Sequence, residues 1–167
     1  MEKISLILII TFAFIQTLHG TEIYGVPKII DGDTVHINSK KIRLEGIDAP
    51  EIKQQCKKPS LKISAIIGLQ INKNYSCGVT AKIKLIDKIN NSKIKCISSS
   101  KDRYNRFLAT CYKNRINLNK WMVRNGYAVA YKRYSKDYMR DEEYAKKNKL
   151  GLWEGTFIMP EKWRKLN

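Results

Sequence analysis

The clearest structural signal in this chain lies in residues 26–44, which read VPKIIDGDTVHINSKKIRL. The segment contains three short apolar runs rich in β-branched residues, namely Lys28–Ile30, Thr34–Ile37 and Lys41–Leu44. Runs of this composition are typical of β-strands, and the polar breaks at 31–33 and 38–41 have the composition of turns. We therefore predict a β-meander near the start of the folded domain.

A second pair of strands is predicted at Lys93–Ile97 and Arg106–Tyr112, on either side of the polar segment Asp102–Asn105. A hairpin folded at that segment brings Cys96 opposite Cys111. Directly opposed residues have Cβ atoms about 4.5–5.5 Å apart, which is close to disulfide reach. We therefore predict a disulfide between these two cysteines.

The other two of the four cysteines, Cys56 and Cys77, are then left to pair with each other. An even number of cysteines fits the disulfide framework of an exported protein. Zinc binding is the competing interpretation, but the chain has no Cys-x-x-Cys pair, and His36 is the one histidine beyond residue 20. Without a histidine partner for a nucleophile, catalysis by a Ser–His or Cys–His pair is not indicated.

The N-terminus has the pattern of a secretory signal. A short charged start is followed by an apolar run from Ile4 to Ile15, which is too short to span a bilayer comfortably. We predict a signal peptide at 1–20 and one folded domain at 21–167. The protein would be secreted or periplasmic, with no membrane attachment in its mature form; an uncleaved anchor is the alternative.

The C-terminal third carries helix signals. Asn117 is predicted to cap a helix that stops at Gly126, and Ser135 is predicted to cap another that ends before Gly151. Residues 79–90 alternate like a strand but also have apolar residues at helical spacing, so periodicity leaves both structures open. Strands first and helices later indicate the α+β class.

The charge of the chain limits its partners. Lys and Arg total 32 against 15 Asp and Glu, giving a net charge of +17. Such a chain favours polyanions, which are nucleic acid, acidic lipid headgroups or acidic polysaccharide, although lysine-rich composition also serves solubility. A membrane-adhering protein should carry its basic residues on an amphipathic helix. The predicted helix at 136–149 is instead acidic early and basic late, the usual complement of a helix dipole.

Three short segments carry the residues that could do chemistry, namely Ile30–Val35 (IDGDTV), Arg43–Glu51 (RLEGIDAPE) and Asp102–Arg106 (DRYNR). Taken alone, each segment has an ordinary structural explanation. The first would be a turn, the second the end of a strand at a proline, and the third a charged hairpin loop. In this order they resemble the active-site motifs of the staphylococcal nuclease (thermonuclease) family. The resemblance continues through Asn117–Gly126 and extends to about residue 163.

The resemblance implies an α+β fold, a five-stranded OB-fold β-barrel with three α-helices, and it puts the first helix at 79–90. It implies a calcium-dependent endonuclease that acts on DNA or RNA as a monomer, with no stable protein partner. Asn105 stands where the family usually has glycine, and we expect a positive φ there, which asparagine tolerates. The stretch between Cys56 and Cys77 is longer than expected, and Ile63–Ile71 within it reads as a short helix or a loop.

The resemblance also implies three sets of site residues. The calcium ligands are two carboxylates and one backbone carbonyl, from Asp33, Asp48 and Ala49. The reaction centre has a general base and two phosphate-clamping arginines, namely Glu51, Arg43 and Arg106. The residues that contact the nucleotide are Arg103, Tyr104 and Tyr131.

Elementary chemistry supports such a set. A phosphodiester is anionic and has a poor leaving group, so catalysis must supply positive charge and a deprotonated water. A hard cation held by carboxylate oxygens, together with arginines that stay protonated, supplies the charge, and a carboxylate can take the proton. The alternative is an OB module that only binds nucleic acid, against which the presence of the complete set argues. For Tyr131 the alternative to contacting the nucleotide is that its side chain packs within the barrel or against a helix.

Overall fold

The structure, a computed structural model, describes residues 20–60 and 72–167. Within them the strands are β1 (Thr21–Gly25), β2 (Lys28–Ile29), β3 (Thr34–Ile37), β4 (Lys40–Leu44), β5 (Ile47–Asp48), β6 (Gln55–Pro59), β7 (Asn72–Ser76), β8 (Ile94–Lys101), β9 (Phe107–Lys113), β10 (Ile116–Asn117) and β11 (Val129–Ala130). The helices are α1 (Cys77–Ile89), α2 (Leu118–Arg124), α3 (Met139–Lys147) and α4 (Pro160–Leu166), with a 3₁₀ turn at Gly151–Glu154. This is the α+β class that the sequence predicts.

The main sheet follows the order β1-β8-β9-β4-β3-β2, with β10 paired to β9. Strands β2, β3 and β4 pair antiparallel in sequence order, so the predicted meander is confirmed. The contact that curls the sheet joins β4 to β9 in parallel, with Ile42 opposite Phe107 and Arg43 opposite Leu108. The curled sheet is a half-barrel, consistent with the predicted OB fold.

The core joins the sheet to the helices. Val35, Ile42 and Leu44 are buried in one cluster with Leu85 of α1 and Met122 of α2. Each fully buried aliphatic side chain contributes about 1.5–3 kcal/mol. Because side chains alternate along a strand, burying the residues on either side of position 43 turns that position to the opposite face of β4.

Helix α1 resolves the ambiguity at residues 79–90. Its buried residues include Ala81, Leu85 and Ile89, which are four residues apart, whereas Val79 and Ile83 are exposed. A strand would instead bury alternate positions. The helical spacing therefore determines the structure, as the family resemblance implies.

Helix α2 begins as predicted, because the Asn117 side chain accepts a hydrogen bond from the Lys120 amide at 2.9 Å. The predicted cap at Ser135 is wrong. Helix α3 begins at Met139, and the Ser135 hydroxyl accepts a bond from the Asp137 amide at 3.1 Å in a local turn. Tyr138 is buried in the core, and this tertiary anchor keeps the preceding residues out of the helix.

Helix α4 adds a fourth helix to the three that the resemblance implies. The sequence carries a signal for it, since proline is favoured at the first helical position and Pro160 stands there. The helix follows the 3₁₀ turn after a short connection. It is the last element of the chain and reaches the candidate active site described below.

Both predicted disulfides are present. Cys96 lies opposite Cys111 in the β8–β9 hairpin, and their sulfurs are 2.02 Å apart. Cys56 and Cys77 join the β6–β7 hairpin to the start of α1, with Cα atoms 5.6 Å apart. The first disulfide lies within the main core cluster, and the second lies in a smaller buried cluster.

Two predictions fall on residues that the structure does not describe. The signal peptide at 1–20 lies almost entirely in residues 1–19, and the short helix or loop at Ile63–Ile71 lies in residues 61–71; both are outside the described ranges. Among the residues that are described, no helix has the length and apolar character needed to cross a membrane.

Candidate active site

Arg43 brings two acidic residues together at one end of the sheet. Its Nη1 atom lies 2.8 Å from Asp33 Oδ1, and its Nη2 atom lies 3.0 Å from Asp48 Oδ1. Asp33 immediately precedes β3, where Thr34 pairs with Arg43 of β4, and Asp48 ends β5. The strand register therefore places all three charged groups next to one another.

The Asp33 side chain is held on several sides. Its Oδ2 atom accepts a hydrogen bond from the Ala49 amide at 2.9 Å, and its Oδ1 atom accepts one from the Thr34 hydroxyl at 3.0 Å. The adjacent Gly32 permits this packing, because a Cβ there would lie 2.7 Å from the Ala49 Cβ and 2.9 Å from the Ala81 Cβ. The close approach of α1 thus depends on glycine.

Burial raises the pKa of two aspartates in this region. Burial and the charge of Asp33 raise the pKa of Asp31 to about 6. Burial also raises the pKa of Asp48, even though hydrogen bonds from Arg164 act in the opposite direction. A raised carboxylate pKa means that burial under-stabilises the ionised form of these groups.

The donors fit a hard cation that keeps water in its shell. Asp33 and Asp48 offer carboxylate oxygens within reach of one guanidinium, and Ala49 follows Asp48 directly with a backbone carbonyl. The described part of the chain contains no group of three or more His, Cys, Asp or Glu side chains arranged as a metal cage. Calcium accepts carboxylate, carbonyl and water oxygens in flexible geometry, so two carboxylates and a carbonyl suit it better than they suit zinc.

Glu51 lies beside this pair and is held by its neighbours. The Gln54 side-chain oxygen accepts a hydrogen bond from the Glu51 amide at 3.4 Å, and Gln54 is fully buried. Helix α1 packs directly on the Glu51 carbonyl, since a Cβ on Gly78 would overlap that oxygen. The backbone of Glu51 is therefore fixed while its carboxylate remains partly exposed.

Arg164 of α4 is the functional-site residue that sequence reasoning missed. Its Nη1 atom lies 2.9 Å from Asp48 Oδ1 and 3.0 Å from Glu51 Oε1, and its Nη2 atom lies 3.0 Å from Asp48 Oδ2. Burial lowers the pKa of Arg164, but the hydrogen bonds and charges of the two carboxylates raise it overall. Proline at position 160 signals the helix, but no sequence signal reveals where its arginine reaches.

Arg106 lies at the tip of the β8–β9 hairpin, where one carboxylate organises the loop. Asp102 Oδ2 accepts a hydrogen bond from Arg106 Nε at 2.8 Å, and Asp102 Oδ1 accepts bonds from the amides of Arg106 and Tyr104. Asn105 has a φ of 61°, so the expected positive φ is confirmed. The loop is thus rigid although it lies at the surface.

The β4–β9 register brings Arg106 near Arg43. Leu108 pairs with Arg43, and paired residues of parallel strands point to the same face. Arg106 lies two residues before Leu108 and immediately precedes β9. If the strand geometry continued to Arg106, a rise of about 3.3 Å per residue and a strand spacing of about 4.8 Å would place the two arginine Cα atoms roughly 8 Å apart, on the same face. This separation is compatible with two guanidiniums that contact one phosphate.

The aromatic residues of the hairpin tip are accessible. Tyr104 is 61% exposed and accepts a hydrogen bond from Arg103 Nη2 at 2.7 Å. The Arg103 and Arg106 guanidiniums lie 4.8 Å and 5.5 Å from the Tyr104 ring centroid. An exposed ring beside two cations offers a base a stacking surface next to its phosphate.

Tyr131 lies on the other side of Asp48. It follows β11, whose Val129 pairs with Asp48, and its ring packs edge-on against Tyr134 at 4.8 Å between centroids. An open cavity of about 430 Å³ beside them is lined by Asp48, Ala130, Tyr131 and residues of α4. Tyr131 is thus partly packed and partly accessible from this cavity.

A buried glutamate supports the strand that carries Asp48. Glu142 of α3 accepts a hydrogen bond from the Ala130 amide at 3.1 Å and forms ion pairs with Lys132 and Lys146. Ala130 pairs with Ile47, next to Asp48. This chain of contacts links α3 to the acidic end of the site.

The sequence of the chain is similar to those of known proteins. The family model described as "Staphylococcal nuclease homologue" matches residues 41–155. An uncharacterized endonuclease of Haemophilus influenzae is 34% identical over 148 residues, which cover 84% of this chain and 71% of that protein. An uncharacterized endonuclease of Escherichia coli O157:H7 is 30% identical over 165 residues, covering 93% and 94%. A micrococcal nuclease of Shigella flexneri is 28% identical over 158 residues, covering 84% and 79%.

Proposed function

Because the chain belongs to the staphylococcal nuclease family, we propose that it is a calcium-dependent endonuclease that hydrolyses phosphodiester bonds of DNA or RNA. The observation that carries the proposal is the meeting of two buried carboxylates, Asp33 and Asp48, on the Arg43 guanidinium. Glu51 is linked to the same cluster through Arg164. Acidic oxygens and guanidiniums thus occupy one accessible point, as metal-assisted phosphoryl chemistry requires.

The carboxylates of Asp33 and Asp48 and the carbonyl of Ala49 would hold the Ca²⁺ ion. Bound there, the ion would neutralise charge on the phosphoryl oxygens and make a bound water more acidic. Side chains would perform the other steps, which are phosphate binding and proton transfer. Arg43 and Arg106 would donate hydrogen bonds to the two non-bridging phosphate oxygens, and these bonds strengthen as negative charge accumulates in the transition state.

Glu51 would accept the proton of the attacking water. The water oxygen forms a new bond to phosphorus, and the bond from phosphorus to one sugar oxygen breaks. The leaving oxygen takes a proton from solvent water, and Glu51 returns its proton to solvent. Arg103 and Tyr104 at the hairpin tip and Tyr131 beside Asp48 would bind the nucleotides that flank the reacting phosphate. These contacts go to phosphates and ring faces, so they carry little base sequence information.

We propose that the enzyme is exported as a monomer. The Cys56–Cys77 and Cys96–Cys111 disulfides support an oxidising compartment, outside the cell or in a periplasm. Strand β1 begins at Thr21, so removal of residues 1–20 would leave every described strand intact. N-terminal sequencing of the protein recovered from culture medium or periplasm tests this cleavage.

Cleavage of supercoiled plasmid and of labelled RNA, with Ca²⁺ and then with excess chelator, tests the activity. We expect cutting that requires the ion. Glu51→Gln should lower the rate by about 10²–10⁴-fold, the usual contribution of a general base. Glu143→Gln, an exposed change of the same kind on α3, is the matched control. Binding without cutting in every condition would instead identify a non-catalytic OB module.

A further inference from the structure

The C-terminal helix α4 lies beyond the residues that the family model matches, yet it reaches the centre of the site. The matched segment ends at residue 155, and α4 spans Pro160–Leu166. Every polar contact that the described residues make with the Arg164 side chain goes to Asp48 or Glu51, at 2.9–3.0 Å. The helix therefore inserts one cation between a proposed metal ligand and the proposed general base.

These contacts occupy the oxygens that metal binding would use. Asp48 Oδ1 is shared by Arg43 and Arg164, and Asp48 Oδ2 accepts from Arg164. Asp48 thus has guanidinium partners on both oxygens. Glu51 Oε1, which would receive the proton of the water, is also bound to Arg164. A divalent ion brought to Asp48 would meet two fixed positive charges and would be repelled while Arg164 remains.

The helix has few other polar attachments to the domain. Glu161 pairs with Arg133 at 3.6 Å, but the Arg133 side chain is 67% exposed, and exposed ion pairs contribute little. Just before the helix, Gln54 donates a hydrogen bond to the Ile158 carbonyl at 2.7 Å. The main polar attachments of α4 to the described domain are therefore the ion pairs of Arg164 with Asp48 and Glu51, beside the apolar packing of the buried Pro160.

We propose that α4 is an autoinhibitory plug, in which Arg164 competes with the divalent ion for Asp48 and with water for Glu51. This inference rests on the proposed function, because it takes Asp48 as a metal ligand. The ion and the docked helix exclude each other, so each weakens the binding of the other by the same factor. The plug raises the calcium concentration at which the site fills, and calcium in turn releases the helix.

Calorimetric titration of Ca²⁺ into the full mature chain, without nucleic acid, tests the plug. Arg164→Ala should bind Ca²⁺ about 5- to 20-fold more tightly than the wild type, within the usual range of coupling between sites. Lys165→Ala is the matched control: it removes the same charge from the next position, but Lys165 pairs with Glu161 of its own helix at 3.2 Å. Its Ca²⁺ affinity should stay within about twofold, because it contacts neither carboxylate.

A second measurement needs no variant. Amide hydrogen exchange of residues 160–166 in the wild type should become faster when Ca²⁺ is added, whereas exchange in β3 and β4 should not. Circular dichroism of each variant checks that the fold is retained.

The outcomes separate the plug from the proposed function. Equal, measurable Ca²⁺ affinity in the wild type and Arg164→Ala, or slower exchange of α4 with Ca²⁺, overturns the plug and leaves the nuclease intact. Unchanged Ca²⁺ affinity with weaker binding of a nucleoside 3′,5′-bisphosphate would make Arg164 a phosphate ligand and also overturns the plug. If no variant binds Ca²⁺, the calcium requirement of the proposed function fails, and the plug fails with it.

Discussion

Arg43 in the sheet and Arg106 at the hairpin tip are proposed to do the same work, but the protein holds them by different means. Arg43 bonds to Asp33 and Asp48, whose side chains are 5% and 1% exposed. Arg106 bonds to Asp102, four residues earlier in the same loop. One arginine is therefore part of the buried framework of the fold, and the other belongs to a self-contained loop. Catalysis and stability are therefore coupled at Arg43 and separable at Arg106.

The largest expected effect comes from removing each arginine. Arg43→Ala and Arg106→Ala should each lower the cleavage rate by about 10²–10³-fold, the typical cost of losing one transition-state donor. Arg43→Ala should also lower the free energy of unfolding by about 3 kcal/mol, because it removes the guanidinium partner of the buried Asp33 carboxylate, whereas Asp48 keeps its ion pair with Arg164. Arg106→Ala should lower it by about 1 kcal/mol or less. Urea unfolding in chelator, so that no ion replaces the guanidinium, measures both values.

A lysine at position 43 separates the effect of charge from that of the guanidinium geometry. Arg43→Lys keeps a positive charge beside the carboxylates but cannot bond to both with a planar fork. It should therefore recover more of the stability than of the activity. Equal loss of stability in Arg43→Ala and Arg106→Ala would contradict the distinction between framework and loop.

A smaller effect is expected at Asp102, which we infer to be a positioning residue. Asp102→Asn should lower kcat by about 10- to 100-fold, since displacing a catalytic group by about 1 Å can cost that much, while KM changes little. Burial raises the pKa of Asp102, but its hydrogen bonds from Arg106 and Tyr104 lower it overall. Its stabilising contribution is thus present above the ordinary value of 3.8 and is lost as pH falls through the lower folded value.

The pH dependence of stability provides the control for Asp102. The difference in unfolding free energy between the wild type and Asp102→Asn should be constant near neutral pH and should shrink in acid, below the ordinary aspartate pKa. A difference that persists unchanged in strong acid would show that the asparagine perturbs the loop by another route.

The same distinction between local and distant contacts explains what the sequence could predict. The Cys96–Cys111 disulfide follows from one hairpin, and the cap at Asn117 follows from its own helix. Both depend on residues close in sequence, and both are predicted correctly. The cap at Ser135 fails because Tyr138, anchored in the core, overrides the local signal.

The residues of the candidate site also divide into those that are close in sequence and one that is distant. Asp33, Arg43 and Asp48 are within 16 positions of one another, and recognisable motifs carry them. Arg164 reaches Asp48 and Glu51 across separations of 116 and 113 residues. Such a contact depends on the whole path of the chain after α3, which no local pattern encodes. Periodicity alone could not decide α1 either, because its helical face becomes visible only when the sheet that covers it is known.

The smallest effect is expected at Asn105, whose backbone adopts the left-handed conformation within the loop. Asn105 has a φ of 61°, and its side chain accepts a hydrogen bond from Lys101 at 2.9 Å. Asn105→Ala should lower the unfolding free energy by about 1 kcal/mol, because a Cβ without local hydrogen bonding is disfavoured in this region. Asn105→Gly should remain within about 0.5 kcal/mol of the wild type, since relief of strain offsets the added freedom of the unfolded chain. Thermal unfolding measures both variants, and cleavage by Asn105→Gly should equal that of the wild type. If that variant lost activity while keeping its stability, the Asn105 side chain, and not only the turn it adopts, would be aiming Arg106.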